Sequence, residues 1–165
     1  MTERFKIRVG KDHLIFCCGH FISYAGHQCE RLHGHNYRAS IEVEAPLDKQ
    51  DFYVFDFVAF KACAKEITDE LDHHMLLATK NAIIHIEETS ERVRVTYRDR
   101  EWVFPRGDCV LLPIENTTAE LLARYLASRL TDVLRERHGF VPEVMRVEVE
   151  EAVGTSASYE WRPGS

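Results

Sequence analysis

The sequence lacks the features that mark membrane, secreted and disordered proteins. No stretch approaches the ~20 apolar residues that span a bilayer. The N-terminal segment MTERFKIRVGKDHLIF has charges scattered among its apolar residues, so it lacks the apolar core of a signal peptide. With 45% hydrophobic and 29% charged residues and no low-complexity tract, the composition is that of a globular protein. We therefore expect one folded domain over residues 1–165, with no membrane partner.

The sequence also lacks a disulfide framework and an excess of positive charge. Its five cysteines are odd in number and irregularly spaced, which favours reduced thiols in the cytoplasm over disulfides. The net charge of -6 argues against a nucleic-acid partner. It permits an anionic small molecule, because the local field at a site can oppose the overall charge. The sequence therefore predicts a cytoplasmic protein that does not bind nucleic acid.

The order of the predicted elements indicates an α+β domain. Apolar alternation predicts one or two strands over residues 4–21, another over residues 33–45, and two more near the C-terminus. Helical spacing predicts one helix that begins after Asp56 and a second helix that Thr117 and Glu120 would cap. Strands adjacent in sequence at both ends favour an antiparallel sheet with two helices on one face over a doubly wound parallel sheet.

Three histidines are the candidates for a metal site. His33 and His35 are two residues apart, so on a strand both side chains project from the same face. If the strands flanking the loop SYAGHQCERL pair as a hairpin, His20 comes within the roughly 5 Å reach of cross-strand neighbours. Gly34 removes a side chain from the opposite face. Three neutral imidazoles suit Zn²⁺ and leave its fourth position for water or substrate.

Cys29 leaves two interpretations of this metal site open. As a fourth zinc ligand it would complete a closed, structural site. If it stands off the metal, its thiolate is able to remove a proton from a bound substrate. The spacing to His33 does not decide between the two, and with nine histidines in the chain, chance proximity is a third interpretation.

Six segments, FCCGH, CERLHGHNY, VFDF, LDHHML, TAEL and EVEEA, resemble in order and spacing the 6-pyruvoyltetrahydropterin synthase and 6-carboxytetrahydropterin synthase family. The resemblance covers nearly the whole chain. It implies a tunnelling fold (T-fold) in which trimers form a barrel and two trimers stack as a homohexamer, with active sites between subunits. It also implies that His20, His33 and His35 hold zinc and that Cys29 is a base, not a ligand.

The resemblance implies roles for four further residues. Asp72 and His73 would complete a relay with Cys29 across the subunit boundary, although outside the family they are typical of a charged helix end. Glu151 would bind the amino and ring N–H groups of a pterin. Alternation in VMRVEVEEA supports this role, because it puts Glu151 on an apolar face where a carboxylate needs a partner. Thr118 would add a contact to the pterin.

The implied activity is that of a zinc-dependent lyase acting on 7,8-dihydroneopterin triphosphate or a related pterin. The product would be 6-carboxy-5,6,7,8-tetrahydropterin or 6-pyruvoyltetrahydropterin, or, by aldol-type cleavage, 6-hydroxymethyl-7,8-dihydropterin for folate synthesis. Cys29 and Glu30 together satisfy the C-x-x-x-H-G-H pattern of the queuosine-pathway type and the E-x-x-H-G-H pattern of the folate type. This resembles a subgroup credited with both activities. Glu30 is thus a second candidate base or an ordinary loop carboxylate, and a non-catalytic pterin-binding homologue is the remaining alternative.

The stretch over residues 81–113 is long compared with compact members of that family. Its segments IIHIEE, RVRVTYRD and EWVF predict short strands joined by charged turns. We therefore expect an added hairpin in this stretch, either over the site or at a subunit edge.

Overall fold

The computed structural model describes residues 3–164, so the first two residues and the last residue of the predicted domain lie outside the described residues. The strands are β1 (Phe5–Val9), β2 (Ile15–His20), β3 (Ser23–Tyr24), β4 (Gln28–Cys29), β5 (His33–Ala45), β6 (His74–Ala78), β7 (His85–Glu88), β8 (Arg92–Tyr97), β9 (Arg100–Pro105), β10 (Cys109–Leu112), β11 (Val144–Ala152) and β12 (Thr155–Trp161). The helices are α1 (Phe57–Asp69) and α2 (Ala119–His138). Two short 3-10 turns cover Lys11–His13 and Arg106–Asp108.

Both α-helices begin and end at residues whose chemistry explains the boundary. The Asp56 carboxylate accepts a hydrogen bond from a first-turn amide of α1 at 2.7 Å, which confirms the predicted cap. Helix α2 is capped by the hydroxyl of Thr118. The predicted cap at Thr117 is therefore wrong by one residue, because the Thr117 side chain is buried against β2. Helix α2 ends at Gly139, whose φ of +62° is left-handed.

The main sheet has seven strands in the order β10-β6-β2-β5-β11-β12, with β1 also paired to β5. The long strand β5 pairs with β2 through its first half and with β1 through its second half, while β11 lies along its other edge. The α+β class is confirmed. The sheet is mixed, because β6 enters it after helix α1 and runs parallel to both β2 and β10.

One face of the main sheet packs against the two helices. On β5 the side chains of Tyr37, Ile41 and Val43 are fully buried. Glu42 and Glu44 alternate with them and pair with charged groups on the opposite face. Side chains on a strand point alternately to its two faces. The buried residues of β5 therefore also determine which face each residue at its N-terminal end points to.

Residues 81–113 contribute a separate three-stranded antiparallel sheet in the order β7-β8-β9. Val93 and Val95 of β8 are fully buried in a second apolar cluster, which also contains Phe21 and Met75. This three-strand sheet is thus packed on the segment that follows β2. Neither α1 nor α2 is long and apolar enough to cross a membrane.

Candidate active site

Three imidazoles meet where β2 ends and β5 begins. His20 is the cross-strand partner of His33, and His35 follows two residues later on the same face of β5. The ligand nitrogens of the three side chains all lie within 4.8 Å of one another. The predicted approach of these histidines is confirmed, whereas their binding of a metal stays a prediction.

Two of the rings are oriented by backbone carbonyl groups. Nδ1 of His33 lies 2.8 Å from the carbonyl oxygen of Arg31, and Nδ1 of His20 lies 2.9 Å from that of Thr117. Because a carbonyl only accepts, each Nδ1 carries the proton and each Nε2 presents a lone pair, as in histidines that bind metals. Burial lowers the pKa of His20, which keeps this ring neutral.

The third ring has a buried nitrogen without a hydrogen-bond partner. Nε2 of His35 is buried and forms no hydrogen bond within the described residues. A carboxylate oxygen of Glu151 lies 3.4 Å away, but the geometry is not that of a hydrogen bond. An unpaired buried nitrogen costs roughly 1–3 kcal/mol unless something binds it. Three neutral imidazoles that converge in this way fit a zinc ion with an open fourth position.

Gly34 allows the two strands to approach closely behind the histidines. It pairs with Gly19 across β2 and β5, and a Cβ atom at Gly34 would lie 3.0 Å from the carbonyl oxygen of Cys18. A larger residue would push β5 away from β2. The glycine between the two histidines therefore keeps His33 beside His20.

Two residues that contact His20 were missed by sequence reasoning. The hydroxyl of buried Thr117 lies 3.2 Å from Nδ1 of His20. The hydroxyl of fully buried Tyr37 lies 3.1 Å from Nε2 of His20 and donates to Glu151 at 3.5 Å. Tyr37 follows His35 by two residues, so extending the β5 alternation identifies it. Thr117 has no such signal, because its contact depends on how α2 docks.

A cavity of about 340 Å³ opens beside His20. This volume lies within the range of roughly 300–1,000 Å³ that is typical of small-molecule sites. Its wall includes the carboxylates of Glu30, Glu120 and Glu151 and the N-terminal end of α2 at Thr118. Within residues 3–164, no lysine or arginine lines it. One chain therefore offers hydrogen-bond acceptors to a ligand, but no cation.

Glu151 reaches this cavity from an irregular point of the sheet. The register of β11 and β12 shifts between Glu150 and Ala152, which marks a β-bulge at Glu151. A bulge redirects the side chain of the extra residue. Thr118 lines the same cavity while its hydroxyl caps α2. The two predicted pterin contacts thus lie in one cavity, beside His20.

The loop between β2 and β5 turns Cys29 and Glu30 in different directions. Glu30 lines the cavity, and one of its carboxylate oxygens lies 3.9 Å from Nε2 of His33. Cys29 is 9% exposed, packs in the second apolar cluster and does not line the cavity. Burial raises the pKa of the Cys29 thiol, so its thiolate fraction at neutral pH is small.

Asp72 and His73 do not line this cavity. The Asp72 carboxylate accepts a hydrogen bond from the Cys17 amide at 2.7 Å and lies 2.9 Å from Nδ1 of His73. The hydrogen bond from Cys17 holds the pKa of Asp72 below its usual range. The side chain of His73 is 81% exposed. In a single chain His73 therefore faces solvent, whereas Asp72 is half-buried.

Comparisons with known proteins give the same fold and family from independent directions. The family model described as 6-pyruvoyl tetrahydropterin synthase matches residues 11–162. A Methanocaldococcus jannaschii protein, provisionally named 6-carboxy-5,6,7,8-tetrahydropterin synthase, is 30% identical over 154 residues, which are 93% of this chain and 89% of that protein. The crystal structure of 6-pyruvoyl tetrahydropterin synthase from Plasmodium vivax is 29% identical with a TM-score of 0.85, over 97% of this chain and 99% of that chain.

A second structure of the Plasmodium vivax synthase carries a substitution of direct interest. In it a glutamate, described as a catalytic residue, is replaced by cysteine. That structure is 28% identical to this chain with a TM-score of 0.85, over 97% of this chain and 99% of that chain. The same two residue types are adjacent in this chain, as Cys29 and Glu30.

Proposed function

Because the chain belongs to the 6-pyruvoyl tetrahydropterin synthase family, we propose that it is a zinc-dependent lyase acting on the side chain of 7,8-dihydroneopterin triphosphate or a related pterin. The resemblance and the T-fold expected from the sequence are confirmed, and tetrahydropterin synthase-type chemistry on a pterin side chain follows from them. Zinc, the substrate and the product belong to the proposal. The observation that carries it is the cluster of three imidazoles, one with an unpaired buried nitrogen, beside a cavity.

Binding of the pterin ring is assigned to the acidic wall of the cavity. A zinc ion held by His20, His33 and His35 would supply Lewis-acid polarisation of the side-chain oxygens. Glu151 accepts hydrogen bonds from the amino and ring N–H groups of the pterin, a charge-assisted arrangement that selects this ring edge. Thr118 adds a contact at the start of α2. A carboxylate oxygen of Glu151 lies 3.4 Å from Nε2 of His35, so the ring edge that it binds would lie beside the metal site.

Glu30 is proposed as the base that removes a proton from the bound side chain. Its carboxylate faces the cavity close to His33, whereas the thiol of Cys29 is buried and its pKa is raised. The glutamate described as catalytic in the Plasmodium vivax synthase supports the same assignment. A carboxylate that takes a hydroxyl proton promotes carbon–carbon cleavage of the aldol type: the outer fragment leaves as an aldehyde, and the carbon that stays on the pterin takes up a proton. The favoured product is therefore 6-hydroxymethyl-7,8-dihydropterin.

The second candidate product is 6-carboxy-5,6,7,8-tetrahydropterin, or its 6-pyruvoyl counterpart. The name of the Methanocaldococcus jannaschii relative and the presence of Cys29 favour it. In this route Cys29 is the base, and Asp72 and His73 of a neighbouring subunit support it. The thiol would have to leave its buried position to reach the substrate, which makes this route the less favoured one.

A homohexamer made of two trimers, with active sites at the subunit interfaces, is part of the proposal. His73 faces solvent in the single chain, with Asp72 half-buried beside it, and another subunit is able to meet the pair there. The cavity lining described for one chain includes no cation, so a neighbouring subunit would supply the groups that neutralise a triphosphate. The five free cysteines support a reducing compartment such as the cytoplasm.

The test is incubation of the zinc-loaded protein with dihydroneopterin triphosphate and, separately, with dihydroneopterin, followed by identification of the pterins by mass. Release of 6-hydroxymethyl-7,8-dihydropterin supports the favoured route, and a carboxylated or pyruvoyl product supports the second. Saturable pterin binding without any product would contradict the lyase and indicate a binding homologue. The matched control is His35→Ala, which removes one zinc ligand and leaves Glu30 and Glu151 in place.

A further inference from the structure

The tip of the β8–β9 hairpin contacts the loop that carries Cys29 and Glu30. The Tyr97 hydroxyl donates to the carbonyl oxygen of His27 at 2.5 Å, and the Arg98 guanidinium donates to the same oxygen at 3.1 Å. These bonds cross some 70 residues of sequence. They fasten the outer part of the loop to the three-stranded sheet.

Arg100 makes the contact nearest to the site. Its guanidinium donates through Nη1 to the carbonyl oxygen of Cys29 at 3.0 Å and through Nη2 to that of Glu30 at 2.7 Å. It lies over the ring of Trp102, 4.6 Å from the centroid. Trp102 in turn stacks on Phe21, the residue that follows the candidate zinc ligand His20, with ring centroids 4.7 Å apart. The arginine is thus held on one side by an aromatic stack and on the other by two carbonyl groups.

We propose that Arg100 is a positioning residue for the pterin reaction, which holds the loop so that Glu30 faces the cavity while Cys29 stays buried. The inference rests on the function proposed above and deepens it. Arg100 itself does not line the cavity, so it acts through the backbone of Cys29 and Glu30. Its charge also acts on the Cys29 thiol, where it lowers the pKa against the larger, raising effect of burial. Arg100 thereby connects the start of β9 to the loop that carries the proposed base.

The geometry explains why an arginine is suited to this position. The planar guanidinium presents two parallel N–H donors, and successive carbonyl groups accept them only when the peptide between Cys29 and Glu30 has one orientation. A rotated peptide would move the Glu30 carboxylate away from His33. Errors of about 1 Å in the placement of a catalytic group reduce rates by roughly a hundredfold. Lysine, with a single charged nitrogen, is unable to satisfy both carbonyl groups with the same geometry.

The test compares Arg100→Ala and Arg100→Lys with wild type, using Arg94→Ala as the matched control. Arg94 belongs to the same sheet but pairs with Glu87 and Glu101 on its exposed side. For both Arg100 variants we expect kcat to fall roughly 10- to 100-fold, the effect of losing hydrogen bonds to a charged group, with KM and zinc content unchanged. The kcat of Arg94→Ala should stay within about twofold of the wild-type value.

A second readout does not depend on turnover. The Glu30 amide donates to the Ile22 carbonyl oxygen at 2.9 Å, so its hydrogen exchange reports on the loop. We expect exchange at Glu30 to be roughly tenfold faster in Arg100→Ala and unchanged in Arg94→Ala. If wild type proves inactive on pterins, the proposed function fails and this exchange readout still tests the role of Arg100.

Unchanged exchange at Glu30 together with a kcat within about twofold of wild type would overturn the inference. Equal decreases of kcat in Arg100→Ala and Arg94→Ala would also overturn it, because they would indicate a general effect of removing arginines from the sheet. If Arg100→Ala does not fold, Arg100→Lys decides, because it keeps the charge and the aliphatic stem over Trp102.

Discussion

Replacing Glu30 by glutamine tests which of two adjacent side chains removes the proton. The amide keeps the size of the carboxylate, and its oxygen is able to accept the hydrogen bond from the Ile22 amide, which measures 3.3 Å in wild type, but it is not a base. A positioned general base contributes about 10²–10⁴ in rate. We therefore expect kcat to fall by this factor, equivalent to about 3–5 kcal/mol in activation free energy. The side chain is 34% exposed, so we expect little change in the free energy of unfolding.

The matched variant is Cys29→Ala, which removes the thiol and leaves Glu30 intact. Rates of pterin product formation at saturating substrate, with zinc content measured on the same samples, separate the two residues. We expect Cys29→Ala to retain zinc and to keep kcat within about tenfold of wild type, since the thiol is not in the cavity wall. A Glu30→Gln enzyme with wild-type kcat, beside an inactive Cys29→Ala enzyme that still holds zinc, would refute the assignment and make the thiol the base.

Three further substitutions test zinc binding, the contact to the pterin and the loss of folding stability at acidic pH. His35→Ala should lower bound zinc, measured by atomic absorption, from about one to well below one per subunit, because three ligands become two. Glu151→Gln should weaken pterin binding, measured calorimetrically, by roughly tenfold or more, because charge-assisted hydrogen bonds become neutral. Since its folded pKa is lowered, Asp72 stabilises the fold above the usual aspartate pKa and loses this effect as pH falls through the folded pKa. The stability difference between wild type and Asp72→Asn, from urea unfolding, should therefore shrink as the solution is acidified; a constant difference would contradict this reading.

The histidine cluster was predictable because it depends on local rules. His33 and His35 share a face by the period of a strand, and the pairing of β2 with β5 brings His20 opposite His33. The cap at Asp56 is local in the same sense, since its carboxylate bonds to an amide only three residues away. For features of this kind, a few neighbouring residues contain all the information that the prediction needs.

The features of the site and fold that could not be predicted depend on contacts between residues far apart in sequence. The directions of Cys29 and Glu30 depend on Arg100, some 70 residues later, which no periodicity connects to the loop. The parallel pairing of β6 depends on the crossover through α1, and the turn of Thr117 toward His20 depends on how α2 docks. The stretch over residues 81–113, where the sequence predicts a hairpin, forms four strands. Three of them make a separate sheet whose apolar cluster packs on Phe21 and Met75, and the fourth, β10, joins the main sheet.

In the proposed site three imidazoles hold a zinc ion with an open fourth position, and Cys29 stands off the metal. X-ray absorption at the zinc edge of the metal-loaded protein tests it most directly. We expect nitrogen or oxygen neighbours at about 2.0–2.1 Å and no sulfur neighbour, with a spectrum that Cys29→Ala leaves unchanged. A sulfur neighbour at about 2.3 Å that disappears in Cys29→Ala would instead show a closed, structural Cys-His₃ site and rule out the open one.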